Sequence, residues 1–256
     1  MRFSLNVSVF FPDRDLLESI SETAKYDFTT LECWYPYGHE PSEINRALST
    51  QGLDMHMINS FPGNDETDRR GLSGDPDNHE TFRKNFDKSL RFALELGCSN
   101  LHVLSGPRLD RYSLEEQEDT VITNLEWASS QVSGTGITLL LEALNTLDKP
   151  DRLIQSSSRA LEIVGALDSE RVKFMYDIYH MQLMEGNLIN TMIQNLDRIG
   201  HIQFANVPGR HGPGTGEIFL PKIIAALEDH HYSGYVGLEY EPLQLSEDHF
   251  AWMEEI

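Results

Sequence analysis

The chain has 256 residues, with 41 Asp and Glu against 20 Lys and Arg and a formal charge of −21 when histidine is counted neutral. That balance argues against binding to nucleic-acid phosphates or an anionic membrane surface, because both draw their affinity from Lys and Arg. Hydrophobic residues at 39% permit a large core, and 256 residues suit either two ordinary domains or one α/β barrel.

The opening MRFSLNVSVFF is a short apolar run. It lacks the basic-then-apolar order and small-residue cleavage site of an export signal, and no stretch nears the roughly 20 apolar residues of a membrane span. Cys33 and Cys98 lie far apart in apolar segments, which predicts no disulfide framework and a reducing, cytoplasmic location. The acidic excess fits solubility or a saline habitat equally well.

Along the chain, short apolar runs alternate with segments of helical period. Strands are predicted over Phe3–Phe10, Thr30–Trp34, Leu53–Asn59, Asn100–Leu104, Thr138–Glu142, Val172–Asp177, Ile199–Phe204 and Tyr235–Glu239. Between them DRDLLESISETAKY, PSEINRALSTQG, HETFRKNFDKSLRFALELG, SLEEQEDTVITNLEWASSQV, PDRLIQSSSRALEIVGAL and LPKIIAALEDHH place apolar residues at three- and four-residue steps. Gly52, Gly97 and Gly136 stand where left-handed caps would end helices. No Pro/Gly/Ser-rich linker divides the chain, and eight units of about 32 residues match the length of a βα repeat. The prediction is one (β/α)8 TIM barrel over residues 1–256. An open doubly wound sheet would show a Gly-rich phosphate turn after the first strand, where the chain reads Phe10-Phe11-Pro12-Asp13.

Barrel chemistry is expected at the carboxyl ends of the strands. Strand five ends at Glu142, strand six at Asp177, strand seven near Gln203 and strand eight at Glu239. Three carboxylates gathered behind apolar runs need a positive partner. Together with one amide oxygen they make an all-oxygen set suited to Mg2+ or Mn2+ rather than zinc, although each acid alone would serve equally as a helix cap or an arginine partner. Two glutamates facing across such a metal would move a proton between adjacent carbons of a hydroxy-carbonyl compound through an enediolate. That is isomerisation or epimerisation.

YDIYHMQLMEGNL, HIQFANVPGRHGPGTGE and YSGYVGLEYEP closely resemble the hydroxypyruvate isomerase family of xylose isomerase-like barrels. LLLEALNT, GCSNLHVLSG and WYPY extend the likeness over essentially the whole chain. The resemblance implies a divalent metal held by Glu142, Asp177, Gln203 and Glu239, with Glu142 and Glu239 as the acid/base pair. It also implies substrate contacts from His180 and Arg210, a small 2-oxo or 3-hydroxy acid as substrate, and a homo-oligomer.

His180 lies just past a strand end, within reach of a substrate oxygen, though a loop histidine is commonly a surface or capping residue. Arg210, in a Gly/Pro-rich loop, offers the donor fork a carboxylate uses, and would serve a rim salt bridge equally. Trp34 and Tyr37 are candidates for an apolar wall over the ligand, or for packing. His56 and His102 alternate with apolar residues and read as inward-facing core histidines. The segment 61–79 is a candidate lid or a solvated loop.

Two departures from the family pattern bear on the substrate. Its Pro-Gly-Arg-Glu run appears as Pro76-Asp77-Asn78-His79, and its Gly-Asp pair as Gly63-Asn64. With Asn78 in place of a basic residue, a substrate carboxylate would have to use Arg69 or Arg70, or the substrate would be longer or neutral. The leading function is therefore a metal-dependent isomerase of a small keto-hydroxy acid, of hydroxypyruvate or 2-oxo-tetronate type. The alternative is a ketose 3-epimerase acting on a free sugar, whose relatives typically carry His where Gln203 stands. A phosphodiesterase akin to endonuclease IV would need basic surface and more rim histidines, and a non-catalytic sugar sensor would not need both glutamates.

Overall fold

The computed structural model describes residues 1–63, 70–167, 169–244 and 249–255. Eight parallel strands close into a barrel in sequence order: β1 (Arg2–Asn6), β2 (Thr30–Cys33), β3 (Asp54–Asn59), β4 (Asn100–His102), β5 (Thr138–Glu142), β6 (Val172–Asp177), β7 (Ile199–Phe204) and β8 (Tyr235–Leu238). Closure comes from β8 pairing with β1, Arg2 opposite Tyr235 and Leu5 opposite Leu238. The chain is a TIM barrel, as the alternation of apolar runs and helical segments predicts.

The helices are α1 (Val7–Phe10), α2 (Leu16–Thr23), α3 (Pro41–Gln51), α4 (His79–Glu95), α5 (Leu114–Gln131), α6 (Ser157–Ala166), α7 (Ile178–Met184), α8 (Leu188–Gln194) and α9 (Leu220–Asp229). Local chemistry fixes their ends. Ser113 and Glu116 cap α5 reciprocally, each side chain accepting the other's backbone N–H at 3.1 and 2.8 Å. Gly52 ends α3 at φ +67°, where a side chain would be strained.

Predicted boundaries shift at several elements, and three of the shifts have a local cause or consequence. The first strand stops at Asn6, whose side chain accepts the Ser8 N–H and starts α1, so Val7–Phe10 is a helical turn rather than strand. β4 ends at His102 instead of Leu104. Residues 150–155 are loop, because α6 begins only after Ser156, whose side chain accepts the Arg159 N–H. The helices α7 and α8 have no counterpart among the predicted helical segments.

Successive residues of a strand face opposite sides. Leu139 and Leu141 of β5 join the main core between barrel and helices, while Leu140 meets Met57 and Met175 in a separate cluster on the other face. Glu142, two residues on, therefore points with Leu140 into the barrel. Cys33 and Cys98 are buried and unbonded.

Glu32, on β2, is fully buried among polar groups: Ser4 Oγ donates to it, Gln203 Nε2 donates at 3.0 Å, and His201 Nε2 lies at 2.8 Å. Burial alone would raise this carboxyl, but the histidines His201 and His56 and the Ser4 hydroxyl hold it down at about 2. A Cβ at position 237 would stand 2.4 Å from Glu32 Oε1, so β8 needs glycine there to make room for the carboxylate. Among the described residues no helix is long and apolar enough to cross a membrane.

Candidate active site

A cavity of about 410 Å³ opens at the carboxyl ends of the strands, within the range of small-molecule sites. Glu142, Gln203, Glu239, His180, Arg210 and Trp34 all line it, and Asp177 joins them through contacts with His180 and Arg210. Pairing of β6 with β7 sets Asp177 opposite Gln203. Glu239 directly follows β8, and its N–H is held by Phe204 O at 3.0 Å. All four proposed ligands are buried.

Three of the four have their orientation fixed by hydrogen bonds, and Glu142 is placed by β5 itself. Gln203 gives its amide N–H to the carboxylate of Glu32, an acceptor only, which turns Gln203 Oε1 the other way. Asp177 caps α7 with Oδ1, accepting from Tyr179 N at 2.8 Å and His180 N at 3.3 Å. That leaves Asp177 Oδ2 and Gln203 Oε1 buried with no hydrogen-bond donor among the described residues. Buried oxygens without a donor are costly; Arg210 compensates Asp177 Oδ2 only at ion-pair distance, and Gln203 Oε1 meets no donor among the described residues.

Glu239 Oε1 accepts from Trp34 Nε1 at 2.7 Å. Arg210 bridges the acids, with Nη2 3.3 Å from Glu239 Oε1 and 3.7 Å from Asp177 Oδ2, and its guanidinium lies over the Tyr179 ring. Its backbone sits at φ +56°, a conformation costly for a side-chain-bearing residue and of the kind found at working sites. Burial and the charges of Asp177 and Glu239 hold the Glu142 carboxyl well above the usual carboxylate range. Burial likewise pushes Glu239 up to about 8, against the opposing pull of Arg210.

His180, Glu142 and Asp177 bring potential ligand atoms within 4.8 Å of one another. The histidine nevertheless faces the acids as a donor. Its Nδ1 accepts from Asn145 N at 3.3 Å and Asn145 Nδ2 at 2.6 Å, and the Asn145 amide is fixed because its Oδ1 accepts from Leu147 N and Asp148 N. Burial lowers His180 to about 4, so near neutrality the ring is uncharged and its single proton sits on Nε2. That N–H points toward Asp177 Oδ2 at 3.5 Å and Glu142 Oε1 at 3.9 Å. A metal would find no lone pair there.

The other expected residues divide. Trp34 is in the cavity, as a hydrogen-bond donor rather than only an apolar wall. Tyr37 does not line it: its hydroxyl donates to Asn59 O at 2.6 Å and its ring packs edge-on against Phe61 and Phe92. Tyr35 takes the place at the cavity. His102, read as a core histidine, also lines the cavity, with Nε2 3.6 Å from Glu142 Oε2; a strand running on to Leu104 puts it in the interior, and only the earlier end of β4 brings it to the rim. His56 lies deeper, against His201 and Tyr235.

The expected lid falls partly on residues 64–69, outside the described residues, as do Asn64 and Arg69. Residues 71–75 are packed down, with Ser73 N and Gly74 N bonded to Leu104 O and Ser105 O. Asn78 is absorbed by Asp75, to which its amide donates at 3.0 Å, and is not a cavity residue. Arg70 is, paired with Asp151. Arg152 lines the cavity too and was not anticipated.

A family model described as Xylose isomerase-like TIM barrel matches residues 20–256. The 2-oxo-tetronate isomerase of Pectobacterium atrosepticum is 36% identical over 257 residues, covering 99% of this chain and 97% of that protein. The hydroxypyruvate isomerase of Escherichia coli is 34% identical over 255 residues, covering 99% and 98%. The crystal structure of an AP endonuclease, family 2, from Brucella melitensis superposes with a TM-score of 0.94 at 32% identity, covering 99% of this chain and 98% of that one.

Proposed function

The chain belongs to the hydroxypyruvate isomerase family of xylose isomerase-like TIM barrels and is an isomerase; on that premise we propose that it is metal-dependent and interconverts a small keto-hydroxy acid with its isomer, Glu142 and Glu239 moving the proton. The observation that carries this reading is the pair of buried glutamates with raised proton affinity, set around two orphaned buried oxygens.

Glu142, Asp177, Gln203 and Glu239 fit a divalent cation. The donors are all oxygen, two lack a hydrogen-bond partner among the described residues, and burial raises the proton affinity of both glutamates, which suits Mg2+ or Mn2+. When bound, the metal would polarise the substrate's carbonyl and hydroxyl oxygens and offset the charge that develops as a proton leaves carbon.

The protein's own groups do the rest. With hydroxypyruvate as substrate, one glutamate carboxylate takes a proton from the hydroxymethyl carbon, and the C–H electrons form the carbon–carbon double bond of an enediolate. The other glutamate gives a proton to the former carbonyl carbon, a hydroxyl proton passes between the two oxygens, and tartronate semialdehyde results. Raised proton affinity suits both tasks, since each group must both accept and return a proton. Trp34 holds Glu239 in one rotamer, Arg210 stabilises the ionised carboxylates, and His180 Nε2–H is aimed to donate to a substrate oxygen. The net charge of −21 weighs against reading the same fold as DNA-directed.

The test is turnover of hydroxypyruvate and 2-oxo-tetronates by protein stripped of metal and then supplied with Mg2+ or Mn2+, alongside Glu142→Gln and Glu239→Gln. Turnover is expected to require metal and to fall about 10²- to 10⁴-fold in each variant with the fold unchanged by circular dichroism. Near-normal activity in Glu239→Gln, or activity indifferent to chelation, contradicts the mechanism.

A further inference from the structure

We propose that Arg152 forms a carboxylate subsite in the wall of the cavity, selecting keto-hydroxy acids over neutral sugars; this rests on the isomerase reading above and names its substrate class. The key observation is an arginine that meets no acid among the described residues. Arg152 Nε is buried and has no hydrogen-bond partner among the described residues. Of the five N–H donors of a guanidinium, the bond described is Nη1 to Arg70 O at 2.7 Å. Arg70, Arg111, Arg159 and Arg210 each meet a carboxylate within 4.0 Å, and Arg152 meets none among the described residues.

The nearby acids are already engaged. Asp151 pairs with Arg70, while Asp148 accepts from Asn145 Nδ2 and the Tyr179 hydroxyl. Glu142 shares the cavity with Arg152 but lies beyond ion-pair distance. A small molecule between them would meet donors on one side and the proton-transferring glutamates on the other. A carboxylate matches the planar donor fork, and the carbon next to it would then face the acids.

The subsite is built rather than incidental. Arg152 bridges Pro107 in antiparallel fashion, Arg108 N donates to Asp151 O at 2.6 Å, and Leu153 N donates to Gly106 O at 3.1 Å. Gly71 and Gly106 let the loops after β3 and β4 touch: a Cβ on Gly106 would stand 2.5 Å from Gly71 O, and one on Gly71 would stand 2.4 Å from Leu104 O. Three loops are thus locked together behind Arg152, which limits the ordering cost of binding.

The test compares glycerate with glycerol, its neutral counterpart, by calorimetric titration of the Mg2+-loaded protein, and pairs this with hydroxypyruvate turnover. Wild type is expected to prefer glycerate. Arg152→Met should weaken glycerate about 10- to 100-fold, as for loss of a charged hydrogen bond, and Arg152→Lys should recover part of it. Equal glycerate affinity in wild type and Arg152→Met, no glycerate binding by wild type, or an equal loss for both ligands overturns the proposal. If glycerate binding depends on Arg152 but no keto acid turns over, the subsite stands and the isomerase reading falls. If hydroxypyruvate turnover survives Arg152→Met at full kcat/KM, the reverse holds.

Discussion

The two walls of the cavity differ in how their side chains are held. On the acidic wall, at the ends of β5 to β8, Glu142 is placed by its strand and the other working groups have a second group behind them: Glu32 behind Gln203, Asn145 behind His180, Trp34 and Arg210 on Glu239. On the basic wall Arg152 hangs from a loop by one described side-chain bond, to Arg70 O. Proton transfer demands tight placement and sits on rigid strands with deep support, whereas recognition of a charged end tolerates a loop. The barrel can thus change substrate through its loops without disturbing the acid/base pair.

The largest predicted effect tests the acidic wall itself: Glu142→Gln or Glu239→Gln removes a proton carrier, against the 10- to 100-fold affinity change expected at Arg152. If Arg152 variants cost more turnover than glutamate variants, the division between chemistry and recognition is wrong. Next is the support behind the wall. Glu32→Gln removes the charge that orients Gln203, and calorimetry should show Mn2+ binding weakened about 10- to 100-fold. Unchanged affinity would mean that the Gln203 amide needs no such anchor.

A smaller effect comes from proton affinity. In metal-free protein Glu239 is raised from an ordinary 4.5 to about 8, so its contribution to stability is fully present below about 4.5 and lost as pH rises through about 8. His180, lowered from 6.5 to about 4, acts oppositely: its contribution is present above 6.5 and lost as pH falls through about 4. Metal binding needs ionised glutamates and must release protons. Saturating Mg2+ should therefore raise Tm more at pH 8 than at pH 6, and a shift independent of pH would count against carboxylate ligation. Smallest is Tyr37→Phe, which removes one part-buried hydrogen bond worth about 1 kcal/mol. It should lower Tm by about 2–4 °C and leave kcat/KM within about twofold, and a large loss of activity would return Tyr37 to the site.

Most of the barrel is legible because periodicity reports burial, and burial here is regular. The misreadings occur where one polar side chain overrides the pattern. VSVF reads as strand by composition, yet Asn6 caps it into a helical turn. PDRLIQ shares the helical spacing of SSSRALEIVGAL, yet Ser156 starts the helix later. That second error hid Arg152, since a residue assigned to an outer helix is not sought in a cavity. The acidic residues were legible because four strands end in oxygen-bearing side chains. Their supports were not: the contacts of Glu32 with Gln203 and of Asn145 with His180 join distant parts of the chain, and only the closed barrel brings them together.

Proton exchange followed by NMR tests the central claim most directly. Metal-stripped protein, without and then with Mg2+ or Mn2+, is incubated in D2O with hydroxypyruvate, 2-oxo-tetronates and simple ketoses. The account predicts metal-dependent deuterium uptake at the carbon beside the carbonyl of a keto-hydroxy acid, abolished in Glu239→Gln. Exchange without metal, or none with any keto acid while metal binding is intact, would contradict it.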